Sequence, residues 1–456
     1  MRVKAGAAQP PAAQVRIEPD ARAWAALARD HAERSGRSRC PVVMSGHQAE
    51  VWHPGILAKW FACAAAARAV SGDAAWLVVD QDEGEPTRLR FPARDERGET
   101  VTGEFDLRAA DEDAPGVPTG MRPAAKIGVA ASADTRAATS AVGAGLRRAT
   151  EAFARHADAP SLARQADAAV RDLLGGEPAV RAIFATELSA TVAFNEALGA
   201  MRADPALCVR AYNEAAAAHQ GAGVRALDRA DDRVELPLWR LEPGRPRRPV
   251  FSDELPDADP RTLAPRGLLM TGLVRRRLCD LFVHGTGGGA TGSGGGYDRV
   301  TEAWFASWLG ETALAPAVLA TATLRLPLGA SERPTEAQAA AARAHAHRAR
   351  HDPSIVGDET TARAKQAILD RVRTTKEAGG DPAPHFADMQ SLLERYRAER
   401  ADDLRRLDEE AERLTRLAAM PDVADDRTWP FVLYEAGAIE ALRREIEARF
   451  GASVAG

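Results

Sequence analysis

Two histidines lie six residues apart in the stretch Ser45-Gly46-His47-Gln48-Ala49-Glu50-Val51-Trp52-His53-Pro54-Gly55. An imidazole beside a helix amino terminus can hydrogen-bond a phosphate or carboxylate and stabilise charge that develops as a bond forms. His47 and His53 are therefore catalytic candidates, and Ser45, Gly46, Gln48 and Gly55 are candidates for holding a substrate or nucleotide. A second group is acidic: Asp80, Asp82, Glu83 and Glu85. Carboxylates there could bind an ammonium, deprotonate an attacking amine or hold a metal, and Asp80 and Asp82 join the catalytic candidates. A third group opens the glycine run from His284 and Gly285 to Gly296, followed by Tyr297-Asp298. Glycines let backbone N–H groups approach an anion, so His284, Gly285, Tyr297 and Asp298 are added to the binding set. Each group also has a plain structural reading: a histidine capping its own loop, a solvated acidic turn and, for residues 289–296, a flexible surface insertion. No HxH or HxxxH spacing links His47, His53 and His284, and no metal is assigned.

These residues need elements to position them. Pro41 to Met44 read as a buried strand, Ser45 to Gly55 as a loop, and Pro54 to about Ala69 as a helix. Ala75 to Val79 form a second strand ending in the acidic group. A right-handed crossover would set the two strands parallel, with the acidic end on the same rim as the histidines. Residues 87–107 alternate as an antiparallel extension, and the helical pattern from Thr135 to about His219 reads as an insertion. Strands return near Val234–Trp239 and Arg248–Phe251. A helix from Gly267, the glycine run, a helix carrying Trp304, Phe305 and Trp308, and a strand at Val318–Leu328 complete the body. Beyond Pro334 the chain is charged and helical, with an imperfect 4-3 apolar spacing from Leu393 to Ala418 that fits an antiparallel coiled-coil arm. The tail from Trp429 to Phe450 is apolar enough to dock onto the body. The expectation is an α/β fold. A Rossmann-like parallel-sheet core is divided between residues 1–134 and 226–332, a helical insertion spans 135–225, and a coiled-coil arm with a docking helix spans 333–456. Residues 1 to about 18, rich in Ala, Pro and Gln, read as mobile until Asp20 caps the first helix.

Length and composition narrow the function classes. At 456 residues the chain can bury a large core, and 45% hydrophobic with 27% charged residues fits a helix-rich globular protein. A net charge of −5 supplies no global field to recruit nucleic acid. Cys40, Cys63, Cys208 and Cys279 are scattered without a CxxC pair, and no window resembles a signal peptide or membrane span, so a cytoplasmic location is expected.

His53-Pro54-Gly55-Ile56 carries the first and third elements of the HxGH signature of nucleotidyl-transfer enzymes, with Ile56 in place of the final histidine. That motif, and a non-catalytic dimeric nucleotide-binding scaffold, are the alternative readings. Over most of its length the chain resembles the cysteine-adding enzyme family of bacillithiol biosynthesis. The resemblance rests on Ser45-Gly46-His47-Gln48, the helix from Pro54, the Trp76–Asp82 strand end, the glycine segment after Phe282 and the C-terminal helices, all in the same order. It implies a ligase that joins the carboxylate of cysteine, or a similar amino acid, to the amine of an amino-sugar acceptor. It further implies ATP or another nucleotide as a possible cofactor and a homodimer formed through the C-terminal helices. In that frame His47 or His53 would stabilise negative charge, and Asp80 or Asp82 would hold an ammonium or accept the amine's proton. The family's Gln-Gln is His47-Gln48 here, and its Glu-Asp-His strand end is Asp80-Gln81-Asp82.

Overall fold

In the computed structural model, which describes residues 13–36, 40–109, 115–128, 136–176, 178–230, 233–287, 296–328, 334–419 and 423–451, short apolar strands alternate with alanine-rich helices. The elements begin β1 (Gln14–Glu18), α1 (Ala21–Arg34), β2 (Val42–Gln48), α2 (Pro54–Ala69) and β3 (Asp73–Val79). An antiparallel hairpin of β4 (Arg88–Arg94) and β5 (Thr100–Asp106) follows. Next come α3 (Ser140–Arg155), α4 (Leu162–Leu173), β6 (Arg181–Phe184), α5 (Val192–Ala203) and α6 (Pro205–Ala218). A small sheet is built from β7 (Arg229–Ala230), β8 (Arg233–Arg240), β9 (Arg248–Phe251) and β10 (Leu263–Pro265). Then come α7 (Gly267–Leu273), β11 (Leu281–His284), α8 (Tyr297–Leu309) and β12 (Ala317–Thr323).

Among the described residues six strands form the main sheet, in the order β1-β12-β11-β2-β3-β6. Neighbouring strands from β12 to β6 pair in parallel, and β1 closes one edge antiparallel to β12. The fold is thus mixed α/β with a mostly parallel sheet. Strand alternation divides the apolar residues between two faces. Val43, Trp76 and Val78 join the core that contains α2, whereas Met44, Ala75, Leu77 and Val79 join a second cluster with Met270 and Val274. Helix α2 has no polar stripe because it has no solvent face: every residue from Leu57 to Ala67 is buried.

By contact the chain divides into two compact units, Met1–Leu328 with Val423–Gly456, and Gly329–Asp422. In the first, Trp429, Phe431, Leu433, Leu442 and Ile446 share a core with Trp24, Val43 and Trp60, and α13 (Ala436–Arg449) lies in this segment. The second contains α9 (Glu336–Ala349), α10 (Glu359–Glu377), α11 (Ala383–Glu399) and α12 (Ala401–Ala419). α9 and α12 run antiparallel, joined by Arg343 to Thr415 Oγ1 at 2.7 Å and Arg350 to Asp408 at 2.6 Å. Tyr396 lies in this unit's apolar cluster and donates its hydroxyl to the Ala349 carbonyl at 2.6 Å. His345, His347 and His351 are exposed. No helix among the described residues is long and apolar enough to cross a membrane.

Three local expectations change. β2 does not stop at Met44: Gly46, His47 and Gln48 pair with Leu77, Val78 and Val79, so the polar residues read as a loop are extended sheet. β6 lies within the block read as helical and pairs with β3. Residues 14–18, read as mobile, are a strand held by β12. Residues 288–295, most of the glycine run, lie outside the described residues.

Candidate functional site

From β2 the chain proceeds to β3 and β6 on one side of the sheet, while β11 and β12 fill the other side. The direction of strand addition therefore reverses between β2 and β11. In open parallel sheets ligands bind outside the carboxyl ends of the strands at such a reversal. His47 and Gln48 end β2 at this point and His284 ends β11.

His47 lies half-buried with Nε2 2.9 Å from Glu50 Oε1. Burial, aided by the Lys59 charge, pushes its pKa below the usual imidazole value despite the opposing pull of Glu50 and Asp82. If neutral His47 donates Nε2–H to Glu50, Nδ1 is left as a base, the arrangement of an imidazole oriented by a carboxylate. His53 caps α2: its Nδ1 accepts from the Gly55 N–H at 3.1 Å. Burial, and then the neighbouring His47 charge, lowers its pKa to about 4. Neutral His53 consequently carries its proton on Nε2. A Cβ at Gly55 would lie 2.7 Å from the His53 ring and 3.1 Å from the Ala322 carbonyl, so this glycine allows the ring to fold over the helix end.

Gln48 joins the two rims by donating to Asp82 Oδ2 at 3.1 Å. The other Asp82 oxygen accepts from Arg247, whose guanidinium also reaches the Gln81 carbonyl at 3.0 Å. Asp82 thus stands with the histidines as a paired carboxylate. Asp80 does not join them. It is 3% exposed, and its two oxygens accept from Thr186 N at 2.9 Å and Thr186 Oγ1 at 2.6 Å. Burial raises its pKa to about 6, with the Thr186 bonds pulling the other way. Its carboxylate is engaged by the turn that follows β6.

Ser45 is fully buried and donates Oγ to the Val283 carbonyl at 2.6 Å, tying β2 to β11. Gly46 is a close-packing residue, for a Cβ there would come within 2.5 Å of the Leu77 carbonyl. On the β11 side, His284 Nε2 lies 3.1 Å from Asp298 Oδ1, at pairing distance but without hydrogen-bond alignment. Asp298, in the first turn of α8, also receives Arg275 at 3.0 Å. Its burial would raise the carboxyl pKa, but His284 and Arg275 outweigh burial and hold it low. Tyr297 is partly exposed and its hydroxyl lies against Gly287.

The pattern-based reading omits Lys59. This residue is 6% exposed in the second turn of α2, and Nζ donates to the Gly46 carbonyl at 2.6 Å. A Cβ at Gly285 would stand 3.6 Å from Lys59 Cδ, which places the lysine stem beside the end of β11 as well as β2. Burial lowers its pKa to about 8. The sequence does hold a signal: Lys59 is the one charged residue between Pro54 and Ala67 in a helix otherwise apolar all round. Arg247, within a Pro- and Arg-rich run, has no such signal.

The site accordingly brings together His47 with Glu50, His53, Lys59, and Gln48 with Asp82. It can stabilise negative charge and take up a proton. Among the described residues no three His, Cys, Asp or Glu side chains converge as a metal site requires. Comparison with protein-family models and with curated proteins found no match to this chain.

Proposed function

We propose that this chain is a ligase-like enzyme of the cysteine-adding type, joining the carboxyl group of cysteine or a similar amino acid to the amine of an amino-sugar acceptor. The observation that carries the reading is the meeting of the His47–Glu50 pair and the Lys59 amine at the strand-order reversal. In this reading the parallel sheet and its covering helices are a Rossmann-like core, α9 and α12 belong to a coiled-coil dimerisation arm, and the enzyme works in the cytoplasm. A nucleotide such as ATP would supply carboxylate activation. The acceptor nitrogen attacks the activated carbonyl carbon, the C–N bond forms, the activating group leaves with its electron pair, and the amine proton passes to His47 Nδ1. His53 Nε2–H and Lys59 stabilise the oxyanion, and Asp82 orients the acceptor. Incubation with cysteine, ATP and glucosaminyl malate, followed by mass spectrometry, should reveal the amide conjugate. Absence of conjugate with this amine and with a panel of related amino sugars would overturn the reading.

A further inference from the structure

Lys59 is a buried cation with Glu50 as its nearest acidic influence but no carboxylate at ion-pair distance among the described residues. Its ammonium has three N–H donors, of which the Gly46 carbonyl takes one, and among the described residues no carboxylate oxygen lies within 4.0 Å of it. The Trp76 ring centroid is 5.5 Å away, and Trp52, Trp60 and Trp76 pack into one aromatic cluster. Burying an unpaired ammonium is costly, and a helix needing only apolar packing would carry alanine or leucine at this position. The lysine also lies where the strand order reverses, with its stem beside Gly285. On the β11 side, His284 Nε2 pairs with Asp298 Oδ1 at 3.1 Å, and Asp298 Oδ2 is buried without a hydrogen-bond partner. The two remaining N–H donors of Lys59 mark a place that an acceptor on a ligand completes.

We infer that Lys59 is the anion anchor of this site, binding a carboxylate or phosphate oxygen of a ligand seated between the carboxyl ends of β2 and β11. The inference rests on the reading of this crevice as the ligand site, and it adds the ligand's anionic group and the residue that holds it. In a water-poor setting walled by tryptophan, the ammonium–oxygen attraction is stronger than on an open surface. The Gly46 carbonyl keeps one donor while the others turn to the ligand. The anion therefore needs no arginine fork and no glycine-rich phosphate loop.

The test uses the full chain with inorganic pyrophosphate and L-malate as separate probes. Acetylation of Lys59 by an amine-reactive ester, followed by peptide mass spectrometry, reads occupancy directly. Calorimetric titration compares the wild type with Lys59→Met and with Lys365→Met, a change at a partly buried lysine of the other unit. Pyrophosphate or L-malate should slow Lys59 labelling. Lys59→Met should weaken binding by about 10- to 100-fold, the usual worth of a hydrogen bond to a charged group, and Lys365→Met should leave it unchanged. Protection by pyrophosphate alone assigns the anchor to a phosphate, and by L-malate alone to a carboxylate. Equal labelling with and without both anions, no labelling of Lys59 under any condition, or unchanged affinity in Lys59→Met would each overturn the inference. The wild-type labelling result stands even if the variant does not fold. Conjugate formation with an unaltered KM in Lys59→Met would refute the anchor while leaving the ligase reading intact. Anion protection of Lys59 in a protein that forms no conjugate would do the reverse.

Discussion

Replacing Lys59 with methionine should make the ligand-free protein more stable, although it removes the residue assigned to ligand binding. The lysine pKa of about 8 in the fold, against an ordinary 10.5, corresponds to roughly 3 kcal/mol of preference for the neutral amine. Desolvation is the largest cause, and the nearby Glu50 and Cys63 partly oppose it. Methionine keeps most of the stem volume and carries no charge, at the loss of the bond to Gly46 O, so the expected net gain is about 1–3 kcal/mol. For a unit of this size that is a rise in Tm of roughly 1–4 °C. The pH dependence provides a sharper check. Unfolded chains keep the lysine proton up to about pH 10.5 and folded ones only up to about pH 8. Between these values the unfolded state binds more protons, so wild-type stability rises with pH through this window. The advantage of Lys59→Met should be full below pH 8 and vanish above about 10.5. Urea unfolding of both proteins across that range measures it. A variant less stable than wild type at pH 7, or a difference that does not change with pH, would refute the reasoning that a buried ammonium is only partly compensated here.

Asp80→Asn should be at least as stable as wild type at pH 7.5, because asparagine can accept from Thr186 N and donate to Thr186 Oγ1 while shedding a buried charge. With a folded pKa of about 6 against 3.8, the cost of ionising Asp80, up to about 3 kcal/mol, is present above pH 6 and lost below about 4. The variant's advantage in urea unfolding should follow that course. Gly145→Ala should cost about 1–3 kcal/mol in denaturant unfolding, because its Cβ would meet the Val432 carbonyl at 2.3 Å. Removing residues 329–422 and joining the ends through a short glycine-serine linker should leave the remaining unit cooperatively folded in thermal circular dichroism. Arg325 pairs with Asp425 at 3.1 Å and Tyr434 Oη donates to the Leu324 carbonyl at 2.9 Å, so the two ends already run side by side.

The β2–α2–β3 unit was legible because its signals are local: a β-branched run, a glycine, a proline at the helix start and another apolar run. What local signals could not supply was the partner of each polar residue. Asp80 and Asp82 look equivalent in sequence, yet one finds Thr186 and the other Arg247, both more than a hundred positions away. Ser45 and Gly46 carry turn chemistry, but β3 and β11 draw them into the sheet. Four residues, Arg181–Phe184, are too few to interrupt a helical periodicity, and only pairing with β3 defines them as a strand. Lys59 was visible as an anomaly of composition, but its meaning depended on Gly46 and Gly285 converging on it.

The return of residues 423–451 to the core of the first unit has a consequence for biosynthesis. A ribosome makes the strands of the sheet long before Trp429, Leu433, Leu442 and Ile446, which share their core with Trp24 and Val43. Completion of that core must wait until residues 429–446 have left the ribosome, while the helices of residues 336–419 emerge earlier and can form their own contacts first. A messenger broken before the codon for Trp429 would therefore yield a body with an open apolar seam, a substrate for chaperones and proteases, and the cell would accumulate little of the shortened chain.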